Sequence, residues 1–318
     1  MKKCLFSVMS VAILATAAGC SNEESYNNPK QGEQTAILFS KPVTISHGDM
    51  KSKAAIEGLV LPTDGTLGIF AEKTADGSSY IENGILAGYA AAANSTFTGA
   101  TTTYNWPGIE PLDFYAYFYP ESSVGITVTD VTNISYTLQS TWAAQVDLLY
   151  TEKVTETKPA AAATGPIVPL AFKHAMARVR FNIKSDSNPG AELKSVKFND
   201  NTVGTFSIKG KEFTTVGTPA DITIAGTDVI VKADGTTSDN CIESLVFPTN
   251  NDWAKALTIV IDGEEFSTTL SGNMLTAFEA GKKYTYTINY TGKVIEFGEP
   301  TVTDWLDGGI ADPIIPIQ

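Results

Sequence analysis

Histidine and cysteine are scarce in this chain. Its 318 residues hold only His47 and His174, and only Cys4, Cys20 and Cys241. No Cys/His cluster with metal-ligand spacing can be drawn from them. A G-x-S-x-G elbow, a phosphate-binding loop and a dinucleotide fingerprint are also missing. The acidic loop at 234–240 does not fit the D-x-D-x-D-G calcium pattern. The carboxylate pairs Asp304/Asp307 and Glu264/Glu265 stand in polar, turn-adjacent sequence, where a solvated face is the default. The expectation is a protein that is not an enzyme, with no catalytic residue, no metal and no cofactor. Positive charge is short as well. Lys and Arg number 22 against 35 acidic residues, giving a net charge of −13 and a pI near 4.6. That balance excludes nucleic acid as a partner, because its phosphates would repel the surface.

Helix-period runs are few, and the one long apolar run is 5–18, behind Lys2 and Lys3. It is too short to span a bilayer comfortably and has the build of a secretory signal. It ends Ala17-Ala18-Gly19-Cys20, which resembles the lipobox of bacterial lipoproteins. That resemblance implies cleavage between Gly19 and Cys20, and acylation of Cys20 with chains such as palmitate. Two or more acyl chains anchor stably, at ~0.8 kcal/mol per buried methylene. The alternative is an ordinary signal peptide with an incidental cysteine. Beyond Cys20, only Cys241 remains, so no internal disulfide is expected. Residues 21–35 are polar and aperiodic and suggest a flexible tether.

From residue 36 onward the pattern is that of strands. In 36–46, Ile37, Phe39, Val43 and Ile45 share a face. A loop with Lys51 and Lys53 follows. Phe114, Ala116 and Phe118 alternate with Tyr115, Tyr117 and Tyr119, so every residue of that run can bury area, as in a strand covered on both faces. An aromatic sugar-binding platform is the functional alternative. Asp262-Gly263 between the alternating runs 257–261 and 266–270 is the strongest hairpin signal. In 166–184, the phase of alternation flips near His174-Ala175-Met176, implying a bend that passes the chain from one sheet to another. His174 is expected to be a packed, hydrogen-bonded residue rather than a ligand.

Several of these stretches resemble the fimbrillin family of pilins and pilin-like surface lipoproteins. Phe172-Lys173-His174-Ala175-Met176-Ala177-Arg178-Val179-Arg180-Phe181-Asn182-Ile183 is similar to its F-x-H-A-x-A signature. Gly65-Thr66-Leu67-Gly68-Ile69-Phe70-Ala71, Trp106-Pro107 with the aromatic run at 114–119, and Asp147-Leu148-Leu149-Tyr150 resemble further family segments. So do Ala280-Gly281-Lys282 with Tyr284 and Tyr286, and Asp304-Trp305. The resemblance implies an all-β protein with two tandem antiparallel β-sandwich (transthyretin-like) domains. The expected layout is a lipoprotein signal at 1–19, a lipidated tether at 20–35, an N-terminal sandwich at 36–165 and a C-terminal sandwich with a short tail at 166–318.

The function implied is a structural or accessory (tip or anchor) subunit of an outer-membrane-derived surface fimbria, contributing to adhesion. In the family, a trypsin-like protease cuts after an early basic residue and frees the first strand. Here the matching residues are Lys51 and Lys53, which are alternatively two ordinary loop lysines. Another subunit, of the same or a different kind, then fills the groove by donor-strand exchange. Withdrawing Ile37, Phe39, Val43 and Ile45 would cost roughly 6–12 kcal/mol as an upper bound. The chain's own donor candidate is its tail, with Ile310, Ile314, Ile315 and Ile317. The competing reading is a monomeric surface-anchored lipoprotein that binds carbohydrate or a host or bacterial surface protein.

Overall fold

The computed structural model describes residues 35–305, apart from 43, 46–60, 88, 90–95, 99–101, 121–124, 159, 161–164, 186, 217–218, 231–241, 249–254 and 271–276. The described residues form one compact unit. The chain is nearly all strand, in several mostly antiparallel sheets.

The organising element is the strand Leu112–Pro120. It pairs with Gly65–Lys73 on one side and with Leu149–Thr151 and Val154–Glu156 on the other. Ser79–Ile85 and Phe172–His174 complete this sheet. Eight of its nine residues are buried, as a two-faced apolar run requires. The alternation sorts them. Phe114, Ala116 and Phe118 enter one core, with Ile37, Phe39, Leu67, Ile69, Val168 and Phe172. Tyr115 and Tyr117 enter a second core, with Phe70, Tyr150 and the apolar residues that follow position 175. One sheet therefore separates two cores and belongs to both. The aromatic run is packing, not an exposed platform.

The glycines of Gly65–Lys73 have a steric reason. A Cβ on Gly68 would lie 2.1 Å from the Tyr117 ring, and one on Gly65 would lie 2.4 Å from the Phe118 ring. These rings cover the strand where it has no side chains of its own.

The second core is closed by two sheets. One runs Ile242–Val246, Ala177–Lys184 and Lys282–Tyr290, then Ile295–Phe297 and Thr301–Asp304 along the last edge. Its central pair, Ala177–Lys184 with Lys282–Tyr290, is parallel. The facing sheet holds Ala220–Ile230, Glu192–Asp200, Lys255–Ile261 and Glu264–Leu270. The last two form the hairpin expected from Asp262-Gly263, with φ of 51° and 87° at the turn, as a primed turn demands.

Strands from both sides of residue 165 share sheets. Val203–Ser207 pairs with Asn133–Thr137, and Phe172–His174 pairs with Leu149–Thr151. The hairpin that carries Val203–Ser207 also reaches back. Lys209 Nζ lies 2.6 Å from Glu72 and 5.8 Å from the Tyr115 ring centroid.

The first strand differs from the continuous 36–46 expected. The structure has Leu38–Ser40 and, separately, Thr44–Ile45, which pairs parallel with Leu61–Pro62. Pro42 lies in the break. It has no N–H to give to a ladder, so a ladder running through it loses a rung there.

Candidate functional site

Leu38–Ser40 is the middle strand of three. It runs parallel to Ile167–Val168 on one side and antiparallel to Thr96–Phe97 on the other. The pairing extends toward its start, where Ile37 N–H donates to the Tyr104 carbonyl at 2.7 Å and Trp106 N–H donates to the Thr35 carbonyl at 2.9 Å. Ile37 and Phe39 are both fully buried, as expected of alternating residues on one face. Phe39 meets Phe114 edge-on at 6.3 Å, and Trp106 meets the same ring at 5.7 Å. Ser40 Oγ accepts the Leu170 N–H at 2.7 Å. What holds this strand is a slot with backbone partners on both sides and two deep apolar seats.

Of the other residues expected here, Ile45 lies in the strand Thr44–Ile45. Val43, Gly19, Cys20, Lys51 and Lys53, as well as Ile310, Ile314, Ile315 and Ile317, lie outside the described residues.

A second constellation lies immediately downstream. The bend near His174 is real: Phe172–His174 pairs with Leu149–Thr151, and Ala177–Lys184 pairs in another sheet. Within the bend, His174 Nδ1 lies 2.8 Å from Asp147 Oδ2, both groups almost completely buried. The His174 ring stacks on Trp305, with centroids 4.0 Å apart and planes 4° apart. Arg178 also lies 5.7 Å from the centroid of Trp305 and is bonded to buried Glu243. Gly281 N–H donates to the Met176 carbonyl and Trp305 N–H to the Gly281 carbonyl. Segments singled out separately in the sequence thus meet at one point: Asp147, His174, Gly281 and Trp305.

Sequence reasoning missed the partners. It also missed Gln145, whose buried amide accepts the Leu245 N–H at 2.7 Å and donates to Ser244 Oγ at 2.9 Å. Gln145 lies 100 residues from Leu245, and nothing in the local pattern announces that contact. The strands at 126–137 were equally unmarked.

Burial, with Glu72 and Asp113 nearby, pushes the Tyr115 hydroxyl up to about 12. Burial would raise Asp113 as well, but hydrogen bonds from Thr155, Thr74 and Lys153 outweigh it and hold the carboxyl below its usual range. Among the described residues, no group of three or more His, Cys, Asp or Glu is placed to hold a metal ion.

These features set the class by fold: an all-β architecture with one sheet shared between two cores and an early strand seated between two others. The family model described as fimbrillin-like matches residues 50–305. The chain belongs to the fimbrillin-like family. No curated protein matches it. Among solved structures, it is similar to a candidate cell adhesion protein from Bacteroides uniformis, with a TM-score of 0.59 at 24% identity over 86% of this chain and 99% of that one. A candidate cell adhesion protein from Bacteroides ovatus gives 0.58 at 14%, with the same coverage. A fimbrial protein from Bacteroides vulgatus gives 0.50 at 14%, over 76% of this chain and 92% of that one. These likenesses are of fold.

Proposed function

We propose that this chain is a structural or accessory subunit of a cell-surface fimbria, assembled by removal of its first strand and insertion of a strand from another subunit. The family makes it a fimbrial or adhesin-like surface protein. Names of its structural relatives, fimbrial and cell adhesion proteins, agree with that reading. The observation that carries the finer proposal is the seat of Leu38–Ser40. The strand is near the beginning of the chain, is flanked on both sides, and is followed by a segment containing Lys51 and Lys53.

A cut after either lysine would leave the strand held by noncovalent contacts alone. Burial of Ile37 and Phe39 contributes roughly 3–6 kcal/mol at ~1.5–3 per side chain, an upper bound. That is a sizeable part of a domain's 5–15 kcal/mol or so. The emptied slot would expose unpaired backbone groups and two apolar seats, and a donated strand would satisfy both. Delivery to the outer membrane through lipid on Cys20, with cleavage at Gly19-Cys20, belongs to the same proposal. An adhesion ligand on a host or bacterial surface also fits it.

The test is limited digestion of the full chain with a trypsin-like protease, followed by size analysis. The expected outcome is loss of the segment before Lys51 or Lys53 and growth into oligomers, alone or with other fimbrial subunits. A protein that is cut there yet remains monomeric with every such subunit, and instead binds glycans, would be the monomeric surface lipoprotein.

A further inference from the structure

The slot around Leu38–Ser40 carries a sequence requirement, and the chain's own C-terminal segment does not meet it. We infer that, if the first strand is replaceable as proposed above, the slot accepts a strand of a different subunit: a large aliphatic residue, any non-proline residue, an aromatic residue, then a short side chain with a hydrogen-bond acceptor.

Each element of this pattern rests on the present occupant. The Ile37 side chain is fully buried, and its N–H is bonded to the Tyr104 carbonyl. Strand alternation turns the next N–H, that of Leu38, toward Ile167–Val168, with which it is in parallel register. A proline at either position deletes a rung. Phe39 is fully buried edge-on to Phe114, in the core that also holds Trp106 and Val168. A smaller side chain there leaves a cavity whose walls relax only in part. The Phe39 N–H faces the same side as that of Ile37, toward Thr96–Phe97, so proline is unsuited there too. Finally, Ser40 Oγ is the acceptor for the Leu170 N–H. Without an acceptor at that position, the part-buried N–H must find another partner.

The C-terminal segment reads Ile310-Ala311-Asp312-Pro313-Ile314-Ile315-Pro316-Ile317-Gln318. It contains no aromatic residue. Its apolar residues two apart are Ala311/Pro313, Pro313/Ile315, Ile314/Pro316 and Ile315/Ile317. The first three put proline in an apolar seat, and the last puts Pro316 between the seats. Every register therefore loses a rung and leaves the aromatic seat underfilled.

The experiment uses the full chain cut by a trypsin-like protease or, if the lysines resist, by a protease site engineered at 51–53. Fluorescent peptides are exchanged into the cut protein and followed by anisotropy. Four peptides are compared: residues 34–46, the same peptide with Phe39→Ile, the same with Ser40→Ala, and residues 306–318. The native peptide should bind, Phe39→Ile about 10-fold weaker, and the 306–318 peptide about 100-fold weaker or not at all. Ser40→Ala should weaken binding by about 5-fold. Equal affinity of the 306–318 and 34–46 peptides would overturn the partner specificity while leaving strand exchange standing. Failure of every peptide, the native one included, to enter the cut protein would remove strand exchange itself, and this inference with it.

Discussion

The seat of the first strand and the junction around His174 are neighbours in sequence, joined through residues 166–176, yet they are built on opposite principles. The first strand is short and is held by ladders, two apolar side chains and one side-chain hydrogen bond. All of these are generic interactions that another strand of suitable pattern can reproduce. The junction is held by a buried His–Asp contact, a ring stack and a buried Arg–Glu contact that link residues 147, 174, 178, 243 and 305. Such a network is worth little more than an apolar core when intact, but breaking it is costly. One region is held by contacts that a strand of similar pattern can reproduce, the other by contacts specific to its own side chains.

The largest expected effect separates the two directly. Trp305→Ala removes a ring that is 1% exposed, strips His174 of its stacking partner and takes from Arg178 one of its two ring contacts, leaving the one with Trp142. Denaturant unfolding should show a loss of about 3–5 kcal/mol in global stability. Phe39→Ala removes a comparable ring, but its effect should be local, read as faster hydrogen exchange at 96–106 and 166–170 while strands of the second core keep their protection. If Phe39→Ala instead lowered protection uniformly, the contrast between the regions would fail. Gly68→Ala sets a Cβ against the Tyr117 ring in the sheet shared by both cores and should cost about 1–3 kcal/mol, again by denaturant unfolding. Ser40→Ala should cost about 1 kcal/mol and accelerate exchange of the Leu170 amide.

The smallest effect is electrostatic. Hydrogen bonds from Lys173 and Lys211 hold the exposed Glu152 carboxyl down at about 2. Its folded value lies below the unfolded one near 4.5, so its contribution is present above pH 4.5 and disappears as pH falls toward 2. A titration followed by NMR should place the Glu152 midpoint well below the usual glutamate range, and salt should raise it. Lys173 precedes His174, and Lys211 lies in the turn between Val203–Ser207 and Glu212–Val216, so through Glu152 this contact ties the junction to that hairpin.

Much of the molecule was legible in its pattern of alternation. The Asp262-Gly263 hairpin, the two-faced Leu112–Pro120 strand and the phase flip at His174 each follow from local chemistry. The first two are written as period-2 burial and turn residues, and the third as a break in that period. The interruption of the first strand at Pro42 was also written there, in a residue that cannot serve a ladder, although Ile37, Phe39, Val43 and Ile45 in phase suggested continuity. Neighbour relations were not legible. Leu38–Ser40 lies beside Ile167–Val168, more than 120 residues away, and Gln145 reaches Leu245. Those contacts depend on which faces meet, and alternation names the buried face without naming what buries it.

The sequence alone determined that this is a chain of strands, which of their faces are apolar and where it turns, because these depend on side-chain type and spacing within a few residues. The tertiary structure decided that one sheet serves two cores, that the early strand is seated between two partners, and that Asp147, His174 and Trp305 meet. Register between distant strands is set by the mutual packing of whole faces, and no local stretch of chain contains that information.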